Sequence, residues 1–142
     1  MSINKYNSEG YRDPTVYEAL RRIEKEAKKT PFKPIIFICS PFAGDTERNL
    51  ERARGYSRFV VNQNAIPLAP HLLFPQFMDD GDQEQRDLGL FFGMVLMSKC
   101  QELWVFGKNI TKGMAVEIEK AKRCGLPIRY FTECCKEVEG DA

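Results

Sequence analysis

Four short apolar segments alternate with longer helical segments along this chain, and the alternation restricts the folds that it can adopt. The apolar segments, residues 34–40, 65–69, 102–106 and 128–131, have the length and composition of buried strands. Strands that alternate with helices form right-handed crossovers and a parallel sheet that helices cover on both faces. We therefore predict an α/β fold, a Rossmann-like (flavodoxin-like) three-layer sandwich with a parallel sheet of four to five strands.

The sequence before the first strand predicts an extra N-terminal helix. Residues 1–13 are polar, and we expect them to be flexible. Asp13 followed by Pro14 is a typical helix start, since aspartate caps the first turn and proline fits its first position. A single domain is expected over residues 14–132, followed by a polar tail over residues 133–142.

Charge and cysteine content argue against several classes of function. The formal net charge of the 142 residues is +1, too small a surplus for binding to a nucleic acid polymer. No apolar run is long enough to span a membrane, and the N-terminus lacks a hydrophobic signal core, so we expect a cytoplasmic protein. Five cysteines and one histidine form no metal-binding pattern, and we expect neither a metal nor an organic cofactor.

The turn after the first strand is a candidate binding site. In open parallel sheets, ligands bind beyond the carboxyl ends of the strands, where the strand order reverses. Backbone amides in such a turn, at the start of a helix, can hold an anion or a sugar hydroxyl. The alternative is a turn whose glycine and aspartate only cap the helix. The candidate residues of this turn are Ser40, Pro41, Phe42, Gly44 and Asp45.

Two further loops reach the same edge of the predicted sheet. His71 follows a proline at the end of the second strand, and it is either a ligand contact or a structural histidine. Asn109, Gly113 and Met114 lie in the loop and the helix start that follow the third strand. We expect these side chains to lie near the turn after the first strand, because the carboxyl ends of parallel strands meet at one edge.

Glu117 and Glu119 lie in the first turns of the helix that follows the third strand. At about 100° per residue, Glu119 falls on the side of Lys122 and Arg123, whereas Glu117 is centred on small and apolar neighbours. The helix dipole stabilises an anion at this end of a helix. An ionised carboxylate among small residues is the arrangement of a carboxylate nucleophile, so Glu117 is the candidate.

The helix predicted over residues 83–98 is apolar on nearly every side. Such a helix is buried by the core or by another subunit, and we predict a subunit interface that forms a homodimer or a higher oligomer. Asp87 lies one turn into this helix, with Leu90, Phe91 and Met94 at helical spacing. Apolar neighbours raise the pKa of a carboxyl group, and a raised pKa suits a group that exchanges protons near neutral pH. The alternative is an aspartate that interacts with the helix dipole.

The sequence resembles the nucleoside 2-deoxyribosyltransferase superfamily, in particular a DUF4406-like branch of small uncharacterised bacterial and phage proteins. The motifs that carry the resemblance are SPF-G with N-ERAR-Y, IP-APHLLFPQF, DLGL, ELWVFG and GM-EIE-A, in this order over roughly residues 34–131. The resemblance implies cleavage or transfer of the N-glycosidic bond of a nucleoside or nucleotide. It also implies that Glu117, in a G-x-x-x-E pattern from Gly113, is the nucleophile, and that Asp87 protonates the departing base.

Two positions depart from the family pattern. An aspartate often precedes the glycine of the nucleophile motif, where this chain has NITK at residues 109–112. A strand tyrosine that steadies the nucleophile corresponds to Phe37. These differences leave hydrolysis, another glycosyl substrate or binding without turnover open. Arg48, Arg52 and His71 are consistent with a phosphorylated ligand.

Two other classes of function are alternatives to the enzyme. The first is a non-catalytic nucleotide-binding or sensor domain on the same scaffold. The second is a small interaction protein whose apolar helix serves oligomerisation alone. In the catalytic hypothesis the partners are a small-molecule nucleoside or nucleotide and further copies of the chain, with no nucleic acid polymer and no membrane.

Overall fold

The computed structural model of this chain describes residues 14–29 and 32–140. The segment that we expected to be flexible, residues 1–13, lies outside the described residues, as do the last two residues of the predicted polar tail. Within the described part of the chain, no helix is long and apolar enough to cross a membrane. The same part contains no cluster of three metal-ligating side chains.

The chain forms two compact units, residues 1–32 and residues 33–142. The first unit contains helix α1, Pro14–Lys29, where the sequence predicts an extra helix. The second unit contains the sheet and the other helices. The predicted domain of residues 14–132 thus spans both units, and the residues of the predicted site all belong to the second.

The second unit alternates strands with helices, as the apolar segments predict. Its strands are β1 Ile35–Cys39, β2 Ile66–Leu68, β3 Glu102–Phe106, β4 Ile128–Phe131 and β5 Glu137–Val138. Its α-helices are α2 Thr46–Asn62, α3 Gln83–Met97 and α4 Lys112–Arg123. The loop between β2 and α3 contains two short 3-10 helices, Pro70–Leu72 and Phe74–Gln76.

The sheet has the strand order β2-β1-β3-β4-β5. Strands β1 to β4 are parallel, and Phe37 of β1 lies beside Leu68 of β2 and Leu103 of β3. The chain moves towards one edge of the sheet after β1 and towards the other after β3, so the strand order reverses between these neighbours. In open parallel sheets this reversal leaves a crevice at the carboxyl ends, which is where we expect a ligand.

The fifth strand comes from the segment that the sequence predicts as a polar tail. β5 is antiparallel to β4, and Arg129 joins the two strands through two 2.7 Å hydrogen bonds to the Glu137 carboxylate. The Arg129 guanidinium also lies over the Trp104 ring, 4.6 Å from its centre. Side-chain contacts therefore support an edge strand that is too short and too polar to be predicted from composition.

Two apolar cores cover the two faces of the sheet. Successive residues of a strand point to opposite faces, so β1 contributes Phe37 and Cys39 to one core and Ile36 and Ile38 to the other. The first core continues into α3 and α4 through Met97, Met114, Ile118 and Ala121. The second continues into α2 through Tyr56 and Val60. This arrangement confirms the three-layer α/β sandwich.

Helix α3 is less buried than its composition predicts. Gly93 and Met97 are buried, whereas Leu88, Phe91 and Val95 are exposed. Only one side of α3 packs against the sheet of the single chain, so burial of the other side requires a second subunit. The exposed side is available for the predicted subunit interface, which stays a prediction.

Candidate functional site

Two cavities open at the carboxyl ends of β1 and β3. The larger has a volume of about 370 Å³ and includes Glu117 in its wall, and we call it the Glu117 cavity. The smaller has a volume of about 310 Å³ and includes Arg48, and we call it the Arg48 cleft. Thr111 lines both, so the cavities adjoin at the start of α4.

The structure divides the predicted site residues between these two cavities. The Glu117 cavity contains Ser40, Phe42, His71, Gly113, Met114 and Glu117. The Arg48 cleft contains Pro41, Asp45 and Asn109. Gly44 and Asp87 line neither of the two cavities. The turn after β1 thus contributes to both cavities, with Ser40 and Phe42 on one side and Pro41 and Asp45 on the other.

Glu117 lies on the buried face of α4. Thr111 caps this helix by accepting a 3.2 Å hydrogen bond from the Met114 amide, which fixes where the helix starts. Glu117 is 7% exposed, whereas Glu119 is exposed and pairs with Arg123 at 3.3 Å. Helical spacing therefore separates the two glutamates as the sequence predicts.

Glu117 holds its proton more strongly than an ordinary carboxylic acid does. Burial raises the pKa of Glu117 from 4.5 to about 8, against a hydrogen bond from the Cys39 thiol that lowers it. The neutral form predominates at pH 7 in the free protein, because the loss of hydration outweighs this single hydrogen bond. The ionised carboxylate that the sequence predicts is therefore the minor form.

Cys39, at the end of β1, contacts Glu117, which the sequence does not predict. Its thiol is hydrogen-bonded to the Glu117 carboxyl group, and the sulfur lies 3.7 Å from the backbone oxygen of Met114. A thiol has one proton, so it donates to only one of these two acceptors at a time. Burial raises the pKa of Cys39 well above its usual value, and the charge of Glu117 raises it further, so the thiol keeps its proton.

Ser40 follows Cys39 directly and lines the Glu117 cavity. It is 2% exposed, and its hydroxyl group has no hydrogen-bond partner among the described residues. Its backbone carbonyl accepts a hydrogen bond from the His71 ring. The Ser40 side chain is thus a buried donor and acceptor in the cavity wall.

Phe42 and His71 form a stacked pair in the same cavity. Their ring centres lie 4.7 Å apart, and their planes differ by 11°. Burial lowers the pKa of His71, against the charge of Asp80 and the hydrogen bond to Ser40, which raise it. A largely neutral imidazole stacked on a phenyl ring forms a flat surface that suits a planar heterocycle.

Asp87 lies on the exposed side of α3 and accepts a 2.8 Å hydrogen bond from the Gln83 side chain. The apolar surroundings that its helical neighbours predict are absent in the single chain, because Leu90 and Phe91 are themselves exposed. The Glu117 cavity instead contains Asp79 and Asp80 from the loop before α3. Neither residue is predicted from the sequence, because an Asp-Asp-Gly run before a helix is an ordinary turn pattern.

The Arg48 cleft is polar and carries charges of both signs. Arg52 pairs with Glu133 at 2.6 Å, and Asp45 caps α2 by accepting a 3.3 Å hydrogen bond from the Arg48 amide. No described residue forms an ion pair or a hydrogen bond with the Arg48 guanidinium. Of the residues that we linked with a phosphorylated ligand, the two arginines line this cleft, and His71 lines the other cavity.

Comparison with solved structures identifies a similar fold. The chain is similar to a 2-deoxyribosyltransferase from the psychrotolerant bacterium Bacillus psychrosaccharolyticus, with a TM-score of 0.58 and 17% sequence identity. The similarity covers 69% of this chain and 72% of that chain. At this identity it establishes the fold alone, and it confirms the predicted Rossmann-like α/β class.

The sequence comparisons concern the same part of the chain. No curated protein matches this sequence. One family model matches residues 34–131. This segment contains strands β1 to β4, Glu117 of the larger cavity, and Arg48 and Arg52 of the smaller one. This match does not show the DUF4406-like branch, which stays a prediction. By the match over residues 34–131, the chain belongs to DUF7768, a family described as a domain of unknown function.

Proposed function

We propose that this protein cleaves or transfers the N-glycosidic bond of a nucleoside or nucleotide, with Glu117 as the nucleophile. The observation that carries the proposal is a buried carboxyl group in the wall of a cavity of about 370 Å³ at the strand-order reversal. The likeness to the fold of a 2-deoxyribosyltransferase supports a nucleoside-like ligand. The stacked rings of Phe42 and His71 offer a surface for the base in the same cavity.

The proposed reaction consists of two displacements at the anomeric carbon. In the first, a Glu117 carboxylate oxygen bonds to this carbon, and the electron pair of the broken carbon–nitrogen bond leaves with the base. An acid donates a proton to the departing base. In the second, water or another base attacks the same carbon, loses a proton and releases the Glu117 carboxylate. Neither displacement uses a metal or an organic cofactor.

Glu117 attacks only in its ionised form. The pKa near 8 makes this the minor form at neutral pH, and the Cys39 hydrogen bond stabilises the fraction that ionises. Positive charge develops on the sugar in the transition state. A buried carboxylate attracts this charge strongly, because little water is present to screen it. Substrate therefore favours the ionised form at the moment when the reaction needs it.

We propose Asp87 as the acid for the departing base, as the resemblance implies, with Asp79 as the alternative. Asp87 lies outside the Glu117 cavity of the single chain, whereas Asp79 lines it. Asp79 accepts a 2.9 Å hydrogen bond from the Gly81 amide and has no ion pair among the described residues. The variants Asp79→Asn and Asp87→Asn distinguish the two candidates. We expect the variant that lacks the acid to lose base release most strongly for bases that are poor leaving groups.

The two adjoining cavities also suggest how the substrate lies. We propose that the sugar and the base occupy the Glu117 cavity, next to Ser40, Gly113 and Met114. A 5′-phosphate, where present, reaches the Arg48 cleft past Thr111, and the Arg48 guanidinium binds it in competition with the Glu133 carboxylate. Pro41, Asp45 and Asn109 complete the wall of that cleft, and Gly44 shapes the turn between the cavities with its φ of 96°.

We further propose that the chain forms a homo-oligomer through α3. Phe91 is 62% exposed and Val95 is 45% exposed, on a helix whose composition is typical of a buried element. Leu88, at helical spacing from Phe91 and Val95, extends the same apolar surface. Contact with a second copy removes this surface from water, which is the expected driving force for association.

The central experiment follows the release of free base from purified protein. Nucleosides and 5′-monophosphates of each common base are incubated with the wild type, Glu117→Gln and Glu119→Gln, and the products are separated by chromatography. The two substitutions are chemically identical and lie on the same helix, but only Glu117 is buried. We expect base release from the wild type and Glu119→Gln, and a loss of at least a hundredfold in Glu117→Gln.

A glycosyl adduct on the peptide that contains Glu117, detected by mass spectrometry after acid quenching, is the direct sign of the proposed intermediate. A wild-type rate that survives in Glu117→Gln contradicts the proposal. So does an adduct on another residue.

A second candidate function is nucleotide binding without turnover. Two observations favour it: the neutral form of Glu117 predominates at pH 7, and Asp87 lies outside the cavity. A neutral carboxylic acid in the cavity wall can donate a hydrogen bond to a ligand without attacking it. Ligands that raise the melting temperature but release no base even at pH 9 support this function over catalysis.

A further inference from the structure

Ser40 carries a buried hydroxyl group that no other described residue satisfies. It is 2% exposed, and its oxygen is the single buried side-chain nitrogen or oxygen atom without a hydrogen-bond partner in residues 14–29 and 32–140. An unpaired buried hydroxyl destabilises the free protein, so native structures keep few of them. Ser40 lines the Glu117 cavity, and a ligand in that cavity is therefore the available partner.

The polar groups around Ser40 already have partners of their own. Its backbone carbonyl accepts a hydrogen bond from the His71 ring. The Thr111 hydroxyl oxygen accepts a hydrogen bond from the Met114 amide at 3.2 Å. The Cys39 thiol contacts Met114 and Glu117. The Ser40 hydroxyl thus differs from these neighbours, because it has no hydrogen-bond partner among the described residues. A ligand can supply that partner.

The position of Ser40 indicates which group of a ligand it meets. Ser40 follows Cys39 in the chain, and the Cys39 thiol contacts the Glu117 carboxyl group. Consecutive α-carbons lie about 3.8 Å apart, so Ser40 is close to a sugar whose anomeric carbon faces Glu117. In a nucleoside, the hydroxyl nearest to the anomeric carbon is the 2′-hydroxyl.

We propose that Ser40 binds the 2′-hydroxyl of the sugar and selects ribose over 2′-deoxyribose. The inference rests on the proposed function, because Glu117 defines where the anomeric carbon lies. Two hydroxyl groups pair in either direction, since each is both donor and acceptor. A 2′-deoxy sugar leaves the Ser40 hydroxyl unpaired in the bound state, which weakens binding.

This assignment names a substrate class, the ribonucleosides and ribonucleotides. It differs from the deoxyribosyl group in the name of the solved protein with the similar fold. The same fold then acts on a different sugar because one side chain at the end of β1 recognises a hydroxyl that the deoxy sugar lacks.

The test compares three sugars on one base. Binding of adenosine, 2′-deoxyadenosine and 3′-deoxyadenosine is measured by calorimetry, and the series is repeated with cytidine, guanosine and uridine. For the bases that bind, we expect the 2′-deoxynucleoside to bind roughly tenfold more weakly than the ribonucleoside to the wild type. The 3′-deoxynucleoside is expected to bind as the ribonucleoside does. In Ser40→Ala, the ratio between the ribonucleoside and the 2′-deoxynucleoside falls to about one.

Ser57→Ala is the matched control. Ser57 is a partly buried serine of α2 whose hydroxyl donates a 2.8 Å hydrogen bond to the Ala53 carbonyl, and it lines neither cavity. Its variant is expected to keep the sugar preference of the wild type. The melting temperature gives a second readout: Ser40→Ala melts at or above the wild-type temperature, because it removes an unpaired buried hydroxyl. A merely structural serine loses stability when it is replaced.

The outcomes separate this inference from the proposed function. Equal binding of ribo- and 2′-deoxynucleosides to the wild type, or a preference that persists in Ser40→Ala, overturns the inference even where Glu117-dependent base release occurs. Weaker binding of the 3′-deoxynucleoside alone also overturns it. A preference that depends on Ser40 without any base release upholds the inference and contradicts catalysis. Failure of every nucleoside to bind contradicts both.

Discussion

The thiol of Cys39 is hydrogen-bonded to the carboxyl group of Glu117, and its sulfur lies 3.7 Å from the carbonyl oxygen of Met114. Met114 lies three residues before Glu117 in α4, so the thiol joins the end of β1 to the helical turn that carries the proposed nucleophile. This contact both orients the carboxyl group and favours its ionised form, in opposition to burial.

Replacement of Cys39 therefore changes the acidity of Glu117. In Cys39→Ala the hydrogen bond that lowers the pKa is lost, and we expect the Glu117 pKa to rise from about 8 by roughly one unit. Cys39→Ser keeps a donor and is expected to restore most of the wild-type value. The titration of Glu117 is followed by ¹³C NMR of protein labelled at glutamate side chains.

Cys100→Ala is the control for this titration. Cys100 is a buried cysteine of the same apolar core, but its thiol is hydrogen-bonded to the Leu96 carbonyl instead of Glu117. We expect its variant to leave the Glu117 titration unchanged. A Glu117 pKa that is the same in the wild type and in Cys39→Ala contradicts the positioning role of Cys39.

The raised pKa of Glu117 also makes stability depend on pH. The unfolded chain releases the Glu117 proton near pH 4.5, whereas the folded protein keeps it up to about pH 8. Between these values the folded state binds more protons, so the free energy of unfolding falls as the pH rises. The contribution of Glu117 to stability is complete below pH 4.5 and is lost above pH 8. The free energy of unfolding changes by roughly 2–5 kcal/mol over this range, at about 1.4 kcal/mol per pKa unit.

Glu117→Gln removes this dependence, because glutamine is neutral at every pH in the range. We expect urea unfolding at pH 5, 6.5 and 8 to show a smaller loss of stability in Glu117→Gln than in the wild type. The variant is expected to be the more stable protein at pH 8. Glu119→Gln changes an exposed carboxylate and serves as the control that keeps the wild-type slope. An identical slope in all three proteins contradicts the raised pKa.

The rate of base release is expected to rise with pH. Below the pKa of about 8, the ionised fraction of Glu117 increases about tenfold per pH unit, and kcat/KM follows this fraction in the free enzyme. The profile levels off above pH 8. The measurement is kcat/KM for the best nucleoside from pH 5.5 to 9.5. A rate that falls across this range assigns Glu117 to proton donation instead of nucleophilic attack.

The predicted subunit interface is tested with two valines of equal exposure. Val95 of α3 and Val61 of α2 are each 45% exposed, but only Val95 lies on the apolar surface proposed for association. We expect Val95→Glu to shift the protein towards the monomer in analytical ultracentrifugation, and Val61→Glu to keep the wild-type mass. A wild type that is monomeric at high concentration contradicts the interface.

Local pattern was sufficient for the four parallel strands and for the buried orientation of Glu117. β1 and β3 are continuous apolar runs, and both lie at the centre of the sheet, where both faces are buried. The inward direction of Glu117 followed from helical spacing, because a helix that packs on a sheet buries its small and apolar side. These predictions depend on residues within one element.

The division into two cavities depends on more than one element, and the sequence did not predict it. Ser40 and Asp45 are five positions apart in one turn, yet they line different cavities. The side on which each lies is set by α2, α3 and α4 together. The apolar surroundings expected for Asp87 are absent for a related reason, since Leu90 and Phe91 are exposed in the single chain. The Cys39 contact joins residues 78 positions apart, which no local pattern reveals.

The buried position of Trp104, beneath the Arg129 guanidinium, has a practical consequence for these measurements. Trp104 is the only tryptophan of the chain, and it is buried in the core between the sheet and α2, on the opposite face from Glu117. Its fluorescence therefore reports loss of the native sheet directly, without an added dye. Because the emitting ring lines neither the Glu117 cavity nor the Arg48 cleft, unfolding can be recorded by fluorescence in the same sample in which ligand binding is measured by calorimetry.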